Sequence, residues 1–145
     1  MKIFNQTIEI ATEPGINIHD LTPQVNQILA ATEIANGQLV VFVRHTTTAL
    51  AINEYEVRLL EDIKNFMAKI APADAQYLHN DLHLRDVPPD EPENAHAHLI
   101  AMMLNNSETI PIINSKLVLG TYQSILFFEL DGARKRQILV QIMGI

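Results

Sequence analysis

The chain has 145 residues, of which 48% are hydrophobic and 19% charged, as expected for a single globular domain. Its net charge of −7 and isoelectric point near 5.2 argue against a nucleic-acid-binding protein and against docking on anionic membranes, because both usually need a basic surface. Cysteine is absent, which excludes thiolate catalysis, disulfides and Cys-type zinc sites and leaves His and carboxylate as the ligands for any transition metal.

The elements follow from apolar periodicity and turn signals. Residues 55–70 carry Leu59, Ile63, Phe66 and Ile70 at helical spacing, which predicts a helix with this apolar face. Residues 39–43 form a continuous apolar run and predict a buried strand. In chain order the predicted elements are a strand at 2–10, a helix at 20–35, strands at 39–43 and 50–53, a helix at 55–70, a short helix at 94–105, and strands at 109–113, 116–130 and 134–142.

Short turns indicate how these strands pair. Asp131-Gly132 is a strong hairpin signal between the last two predicted strands, and strands joined by short turns are antiparallel. A hairpin after residue 43 would likewise return Glu54 to the neighbourhood of His45. With two main helices packed on the sheet, the predicted class is α+β, a single domain over 1–145 with an antiparallel β-sandwich-like sheet. No apolar run approaches the about 20 residues of a membrane helix, so we expect a cytoplasmic protein.

A histidine cluster is the first candidate for chemistry. Imidazole and carboxylate are the usual zinc ligands when thiolate is absent, and the acidic segment at 71–93, which has no predicted element, is the kind of long loop that is often functional. The alternative is a solvated surface loop. On a helix His96 and His98 would point about 200° apart, so only one of them would face a given site. Four of the six histidines fall within 20 residues: His79, His83, His96 and His98.

A second candidate lies where the buried strand at 39–43 ends. His45, Thr46 and Thr47 follow this strand, and strand ends often carry functional side chains because the scaffold holds them rigidly. Glu54 beside His45 would form an acid/base pair. The alternative is that the threonines are ordinary β-formers and that Glu54 stabilises the start of the next helix.

The densest basic cluster is Arg134, Lys135 and Arg136. In a strand Arg134 and Arg136 share a face, and two guanidinium groups could hold a phosphate or pyrophosphate. The alternative is protection of a sheet edge by charge.

Six segments, taken together and in order, resemble a known family. They cover the chain from about residue 2 to 144 and match the secondary thiamine-phosphate synthase family, with Tyr122 standing where that family usually has tryptophan. The segments are His45-Thr46-Thr47, Ile52-Asn53-Glu54, Tyr77 to Asp81, Asn94 to Leu99, Leu119 to Gln123, and Glu129 with Asp131-Gly132, Arg134 and Arg136.

This resemblance implies an α+β homotrimer and a weak thiamine-phosphate synthase activity, a transferase reaction that joins a pyrimidine pyrophosphate to a thiazole phosphate. The candidate residues are then, for catalysis, His45, Glu54, Asp81, Gln123 and Glu129; for substrate binding, Thr46, Thr47, Asn53, Arg134 and Arg136; and for metal binding, His45, His79 and His98.

The expected cofactor is a divalent metal, Zn²⁺ or Mg²⁺, and the expected partner is a small phosphorylated molecule, with no nucleic acid and no membrane. Two other functions stay open. One is a metal-dependent hydrolase that holds Zn²⁺ on the three histidines. The other is a non-enzymatic trimer that binds a small anionic ligand in a cleft between subunits.

Overall fold

The structure, a computed structural model, describes residues 1–145 and is α+β, with two antiparallel sheets and three helices. The elements are β1 (Lys2–Ala11), β2 (Asn17–Asp20), α1 (Thr22–Ala30), β3 (Gly37–Val43), β4 (Thr48–Asn53), α2 (Val57–Ile70), α3 (Ala95–Met103), β5 (Ser107–Ile113), β6 (Lys116–Leu117), β7 (Ser124–Glu129) and β8 (Lys135–Gly144).

The sheets pack face to face. One has five strands in the order β1-β8-β3-β5-β6, and the other has three in the order β2-β7-β4. Their facing side chains form the main core, and α1 adds Leu21 and nearby apolar residues to it. The outer face of the three-stranded sheet carries a second cluster shared with α2 and α3. The three-stranded sheet is therefore buried on both faces, which explains the continuous apolar run in β7, whereas β8 alternates because only one of its faces is covered.

Helix α2 packs differently from its sequence prediction. Leu60 and Met67 are its buried side chains, while Phe66 is 62% exposed and Ile70 is 42% exposed. The predicted apolar face is therefore wrong: the buried face of α2 is rotated from it by about one residue around the helix. The helix contacts the sheet through one narrow line of side chains, and periodicity alone does not reveal which part of a broad apolar stripe makes that contact.

Both predicted hairpins are wrong. Strand β7 pairs with β2 and β4, whereas β8 pairs with β1 and β3, so the Asp131-Gly132 turn crosses from one sheet to the other. The chain turns there because the backbone N–H groups of Asp131 and Gly132 donate to the buried carboxylate of Glu129 instead of to a neighbouring strand. Strands β3 and β4 also lie in different sheets, and β4 runs from Thr48 away from the end of β3, so Glu54 does not return to His45.

Several predicted boundaries also change. The helix predicted at 20–35 spans Thr22–Ala30, and strand β2 just before it was missed. The strand predicted at 116–130 is two strands, β6 and β7, separated by a turn at Gly120. The acidic segment at 71–93 contains two single 3₁₀ turns, Leu78–Asn80 and Leu82–Leu84. None of the helices combines the length and the apolar character that crossing a bilayer requires.

Four strand ends converge at one end of the sandwich. Val43 at the end of β3 pairs with Ile138 near the start of β8, and Thr48 at the start of β4 pairs with Glu129 at the end of β7. The residues just outside these strands are therefore brought together from distant parts of the sequence.

Candidate functional site

A polar cleft of about 330 Å³ opens at these strand ends, and we call it the strand-end cleft. Apart from Pro92, the residues that line it carry polar or charged side chains. Other clefts exist, but this one contains most of the substrate-binding residues predicted from the sequence. Its walls are formed by Arg44, His45, Thr46, Thr47, Glu91, Pro92, Asn94, His98, Arg134 and Arg136.

A buried ion pair forms the floor of the cleft. Glu129 is fully buried and Arg136 is 3% exposed. Nε of Arg136 donates to Glu129 Oε2 at 2.6 Å, and Nη2 donates to Glu129 Oε1 at 2.7 Å and to Thr47 Oγ1 at 3.0 Å. Thr12 Oγ1 also donates to the carboxylate at 2.7 Å. Glu129 thus acts through Arg136, and its burial leaves it no direct access to a ligand.

The charge of Glu129 is strongly stabilised. Burial alone raises the pKa of its carboxyl group, but hydrogen bonds from Arg136, Thr12 and the backbone of Asp131 and Gly132 outweigh burial and lower the pKa to about 2. The carboxylate therefore stays ionised at neutral pH and holds the guanidinium of Arg136 in one orientation.

Two further guanidinium groups face the cleft. Arg134 Nη2 lies 3.0 Å from Asp131 Oδ2, so a neighbouring carboxylate balances its charge. Arg44 Nη2 donates to Gln137 Oε1 at 2.9 Å, and no carboxylate lies against Arg44. Arg44 is therefore the one arginine of the cleft without a direct carboxylate partner, and Glu91 places a carboxylate elsewhere in the same lining.

His45 is held in a single neutral form. Its Nε2 accepts a hydrogen bond from the backbone N–H of Gln137 at 3.1 Å, which leaves the ring proton on Nδ1. Burial lowers the pKa of His45, and the positive charge of Arg136 lowers it further. At neutral pH His45 is therefore a hydrogen-bond donor through Nδ1 and carries no charge.

His98 lies on the wall of the cleft and packs edge-to-face against His79, with ring centroids 4.8 Å apart. Burial lowers the pKa of His98, and the nearby His79 lowers it further. Across the whole chain, no group of three His, Asp or Glu side chains is placed to hold a metal ion. The metal-binding prediction for His45, His79 and His98 is therefore wrong. Proximity in sequence brings two of the clustered histidines together but does not make them converge with His45 on one point.

The remaining predicted site residues lie elsewhere. Asn53 ends β4 opposite Ser124, about 17 Å along the strand from Thr48 by the usual rise per residue. Glu54 follows Asn53, and Gln123 accepts a hydrogen bond from the backbone N–H of Gly120. Asp81 faces a separate acidic cleft with Glu93. Asn53, Glu54 and Gln123 are thus at the far end of the three-stranded sheet from the strand-end cleft.

Four residues of the cleft were not identified as site residues from the sequence: Arg44, Glu91, Pro92 and Asn94. Arg44 directly precedes His45 at the same strand end, so the argument that singled out His45 applies equally to it. Asn94 stands at the start of the helix predicted at 94–105, yet its side chain makes no capping hydrogen bond to α3 and its Nδ2 donates to Asp131 Oδ2 at 2.9 Å.

Comparison with known proteins identifies the family. The family model described as UPF0047 protein YjbQ-like matches residues 6–145. A UPF0047 protein of Methanothermobacter thermautotrophicus is 41% identical over 144 residues, covering 99% of this chain and 94% of that protein. A UPF0047 protein of Archaeoglobus fulgidus is also 41% identical, over 136 residues that cover 94% of this chain and 98% of that one.

Solved structures agree with this result. The crystal structure of a YbjQ-like protein of unknown function from Sulfolobus solfataricus P2 superimposes with a TM-score of 0.89 at 36% identity, covering 99% of both chains. That of a hypothetical protein from Aeropyrum pernix K1 gives 0.88 at 36% identity, covering 98% of this chain and 99% of that one. These likenesses give no support to a thiamine-phosphate synthase or a related transferase, so that assignment is wrong. The chain belongs to the UPF0047 protein YjbQ-like family.

Proposed function

We propose that the strand-end cleft binds a small phosphorylated molecule. The observation that carries this proposal is the hydrogen-bonding state of Arg136. Nε and Nη2 are both engaged by protein acceptors, while Nη1 donates to no protein group and is not sealed from solvent. A buried guanidinium that is fixed on one side and open on the other is preorganised for an anion, because little conformational entropy remains to be lost on binding.

The neighbours of Arg136 support the same ligand. Arg44 supplies a charge that no carboxylate balances, and His45 supplies a neutral donor through Nδ1. Arg134 adds a third guanidinium at the edge of the cleft. Several donors that converge on one small polar space suit the three terminal oxygens of a phosphate better than a single carboxylate.

The test is calorimetric titration with inorganic phosphate and with a simple phosphate monoester, such as propyl phosphate. We expect Arg44→Gln to weaken both affinities about tenfold, since a hydrogen bond to a charged group contributes about 1.5–3 kcal/mol. Arg58→Gln is the matched control, because Arg58 is an exposed arginine at the start of α2 that does not line the cleft. This variant should bind both phosphate ligands as tightly as the parent protein does.

The proposal would be contradicted if the parent protein bound no phosphate at millimolar concentration. It would also be contradicted if Arg44→Gln and Arg58→Gln lost the same amount of phosphate affinity. Each titration is run with and without added Mg²⁺. A divalent cation that enters with the phosphate stays a prediction, and tighter binding in Mg²⁺ would support it.

We also propose that the chain forms a homotrimer: the count of three comes from the sequence resemblance, and the structure adds a surface through which copies of the chain would associate. On α3, Leu99, Met102 and Met103 are 41%, 77% and 62% exposed, which is a large apolar area to leave in water. Light scattering coupled to size exclusion should then give a mass near three times 16.3 kDa. A monomeric mass at micromolar concentration would contradict this.

A cytoplasmic location stays a proposal as well, which fractionation of the source cells would test.

A further inference from the structure

Resting on the phosphate-binding function just proposed, we infer that the occupant of the strand-end cleft is the phosphate monoester of a small polyhydroxylated carbon skeleton, that is, a sugar or polyol phosphate. The argument concerns the part of the ligand that is not the phosphate. It uses Glu91 and Asn94, two acceptor-bearing residues that line the same cleft as the phosphate-binding arginines.

The walls offer little surface to an apolar ligand body. Pockets for drug-like molecules and heterocycles are mostly lined by hydrophobic and aromatic side chains, which bury the apolar part of the ligand. Here Pro92 is the one apolar side chain in the lining, and the aromatic rings there are the polar imidazoles of His45 and His98. A nucleobase, pyrimidine or alkyl chain would gain little from leaving water, whereas a carbon skeleton that carries hydroxyl groups loses little in such surroundings.

One wall carries a buried acceptor that the protein does not satisfy. Asn94 is 4% exposed, and its Nδ2 donates to Asp131 Oδ2 at 2.9 Å. Because a carboxylate only accepts, this bond fixes the amide orientation and identifies the other terminal atom as Oδ1. Oδ1 accepts no hydrogen bond from any protein group. Buried acceptors of this kind are rare in folded proteins, so a donor on the ligand, direct or through one water, is the expected partner.

Glu91 provides a second acceptor beside the first. Its carboxylate lines the cleft, its side chain is 28% exposed, and its nearest cation is Arg85 at 3.7 Å, too far for a hydrogen bond. A second anionic group of a ligand would be repelled at this position, whereas a hydroxyl would donate to it. The cleft therefore contains two kinds of group, guanidinium donors suited to the phosphate and the acceptors of Glu91 and Asn94 suited to hydroxyl groups.

The volume of the cleft sets the size of the skeleton. About 330 Å³ is at the lower end of the range for small-molecule pockets. A phosphate with a skeleton of three to about six carbons suits this space, and a dinucleotide would not.

The deciding experiment compares two ligands of equal charge and chain length. Glycerol 3-phosphate has two hydroxyl groups, and propyl phosphate has none. By calorimetry we expect the parent protein to bind glycerol 3-phosphate about tenfold more tightly, because the hydroxyls meet acceptors that otherwise lack donors. In Glu91→Ala and in Asn94→Ala this preference, the ratio of the two affinities, should shrink toward unity. Because Glu91→Ala also removes a negative charge from the cleft, both esters should bind more tightly to it, so the ratio and not either single affinity is the readout. Glu93→Ala is the matched control, since the side chain of Glu93 lines a different cleft.

The outcomes separate the two claims. Equal affinity for both esters would overturn the polyol inference and leave the phosphate site intact. If glycerol 3-phosphate still binds more tightly than propyl phosphate in both Glu91→Ala and Asn94→Ala, these two residues are not the acceptors for the ligand hydroxyls. If neither ester nor inorganic phosphate binds, the proposed function fails and the inference fails with it. If Asn94→Ala does not fold, because its bond to Asp131 is lost, Glu91→Ala still decides.

Discussion

Replacing Glu129 by glutamine should lower the free energy of unfolding by about 3–5 kcal/mol, the usual cost of removing one partner from a buried ion pair. The substitution leaves the guanidinium of Arg136, 3% exposed, without its counter-charge and adds an amide group that cannot accept all five hydrogen bonds made to the carboxylate. Urea denaturation followed by circular dichroism measures the change.

Glu61→Gln is the control for this prediction. Glu61 pairs with Lys64 at 2.8 Å on the surface, where the glutamate side chain is 62% exposed, and exposed pairs of this kind contribute about 0–1 kcal/mol. Similar effects of the two substitutions would show that the Glu129–Arg136 pair does not organise the end of the sandwich. A loss below about 1 kcal/mol for Glu129→Gln would lead to the same conclusion.

The acid dependence of stability tests the same pair without removing it. The folded-state pKa of Glu129 is about 2, below its ordinary value of 4.5. A lowered pKa means that the unfolded chain binds this proton first, so the stabilisation is complete above 4.5 and is lost as the pH falls through the folded-state pKa. Stability should therefore decline more steeply between about pH 4.5 and 2 in the parent protein than in Glu129→Gln.

Phe127→Ala should cost about 3–5 kcal/mol of unfolding free energy, whereas Phe66→Ala should cost no more than about 0.5 kcal/mol. Phe127 is fully buried between the two sheets and Phe66 is 62% exposed on α2. The chemical change is identical in the two variants, so the difference reports the packing of the site alone. The same urea titration provides both numbers.

This pair of variants also tests the structure against the sequence prediction. The stripe formed by Leu59, Ile63, Phe66 and Ile70 predicted that Phe66 faces the core, and a large loss in Phe66→Ala would support that earlier prediction over the structure. Near-equal losses in the two phenylalanine variants would contradict the packing of α2 described here.

The strand-end cleft could be predicted only in part. His45, Thr46 and Thr47 were identified because they follow a buried strand, and Arg134 and Arg136 because they form a basic pair on one strand face. Glu54 was grouped with them on the assumption of a hairpin, and Asn53 and Gln123 through the family resemblance. In the structure β4 starts beside the cleft at Thr48 and runs away from it, so Asn53 and its neighbours lie at the other end of the sandwich.

The histidines show the same limit. Their crowding between His79 and His98 predicted a shared ligand set, but α3 turns His96 and His98 to different sides, as the helical period requires. Only His98 reaches the cleft, with His79 against its ring. Closeness in sequence limits how far apart two residues can lie in space, but it does not make their side chains point toward the same site.

The class of the fold and most of its elements follow from the sequence, because periodicity and turn chemistry are local and each acts within about ten residues. The absence of cysteine likewise restricts any site to groups such as imidazole, carboxylate and guanidinium. The pairing of the strands, the role of Glu129 as a buried anchor for Arg136, and the placement of Asn94 and Glu91 in one cleft with Arg44 come from the packing of the whole chain. These outcomes depend on the packing of one sheet on the other, where burial and charge compensation act between residues as much as 117 positions apart.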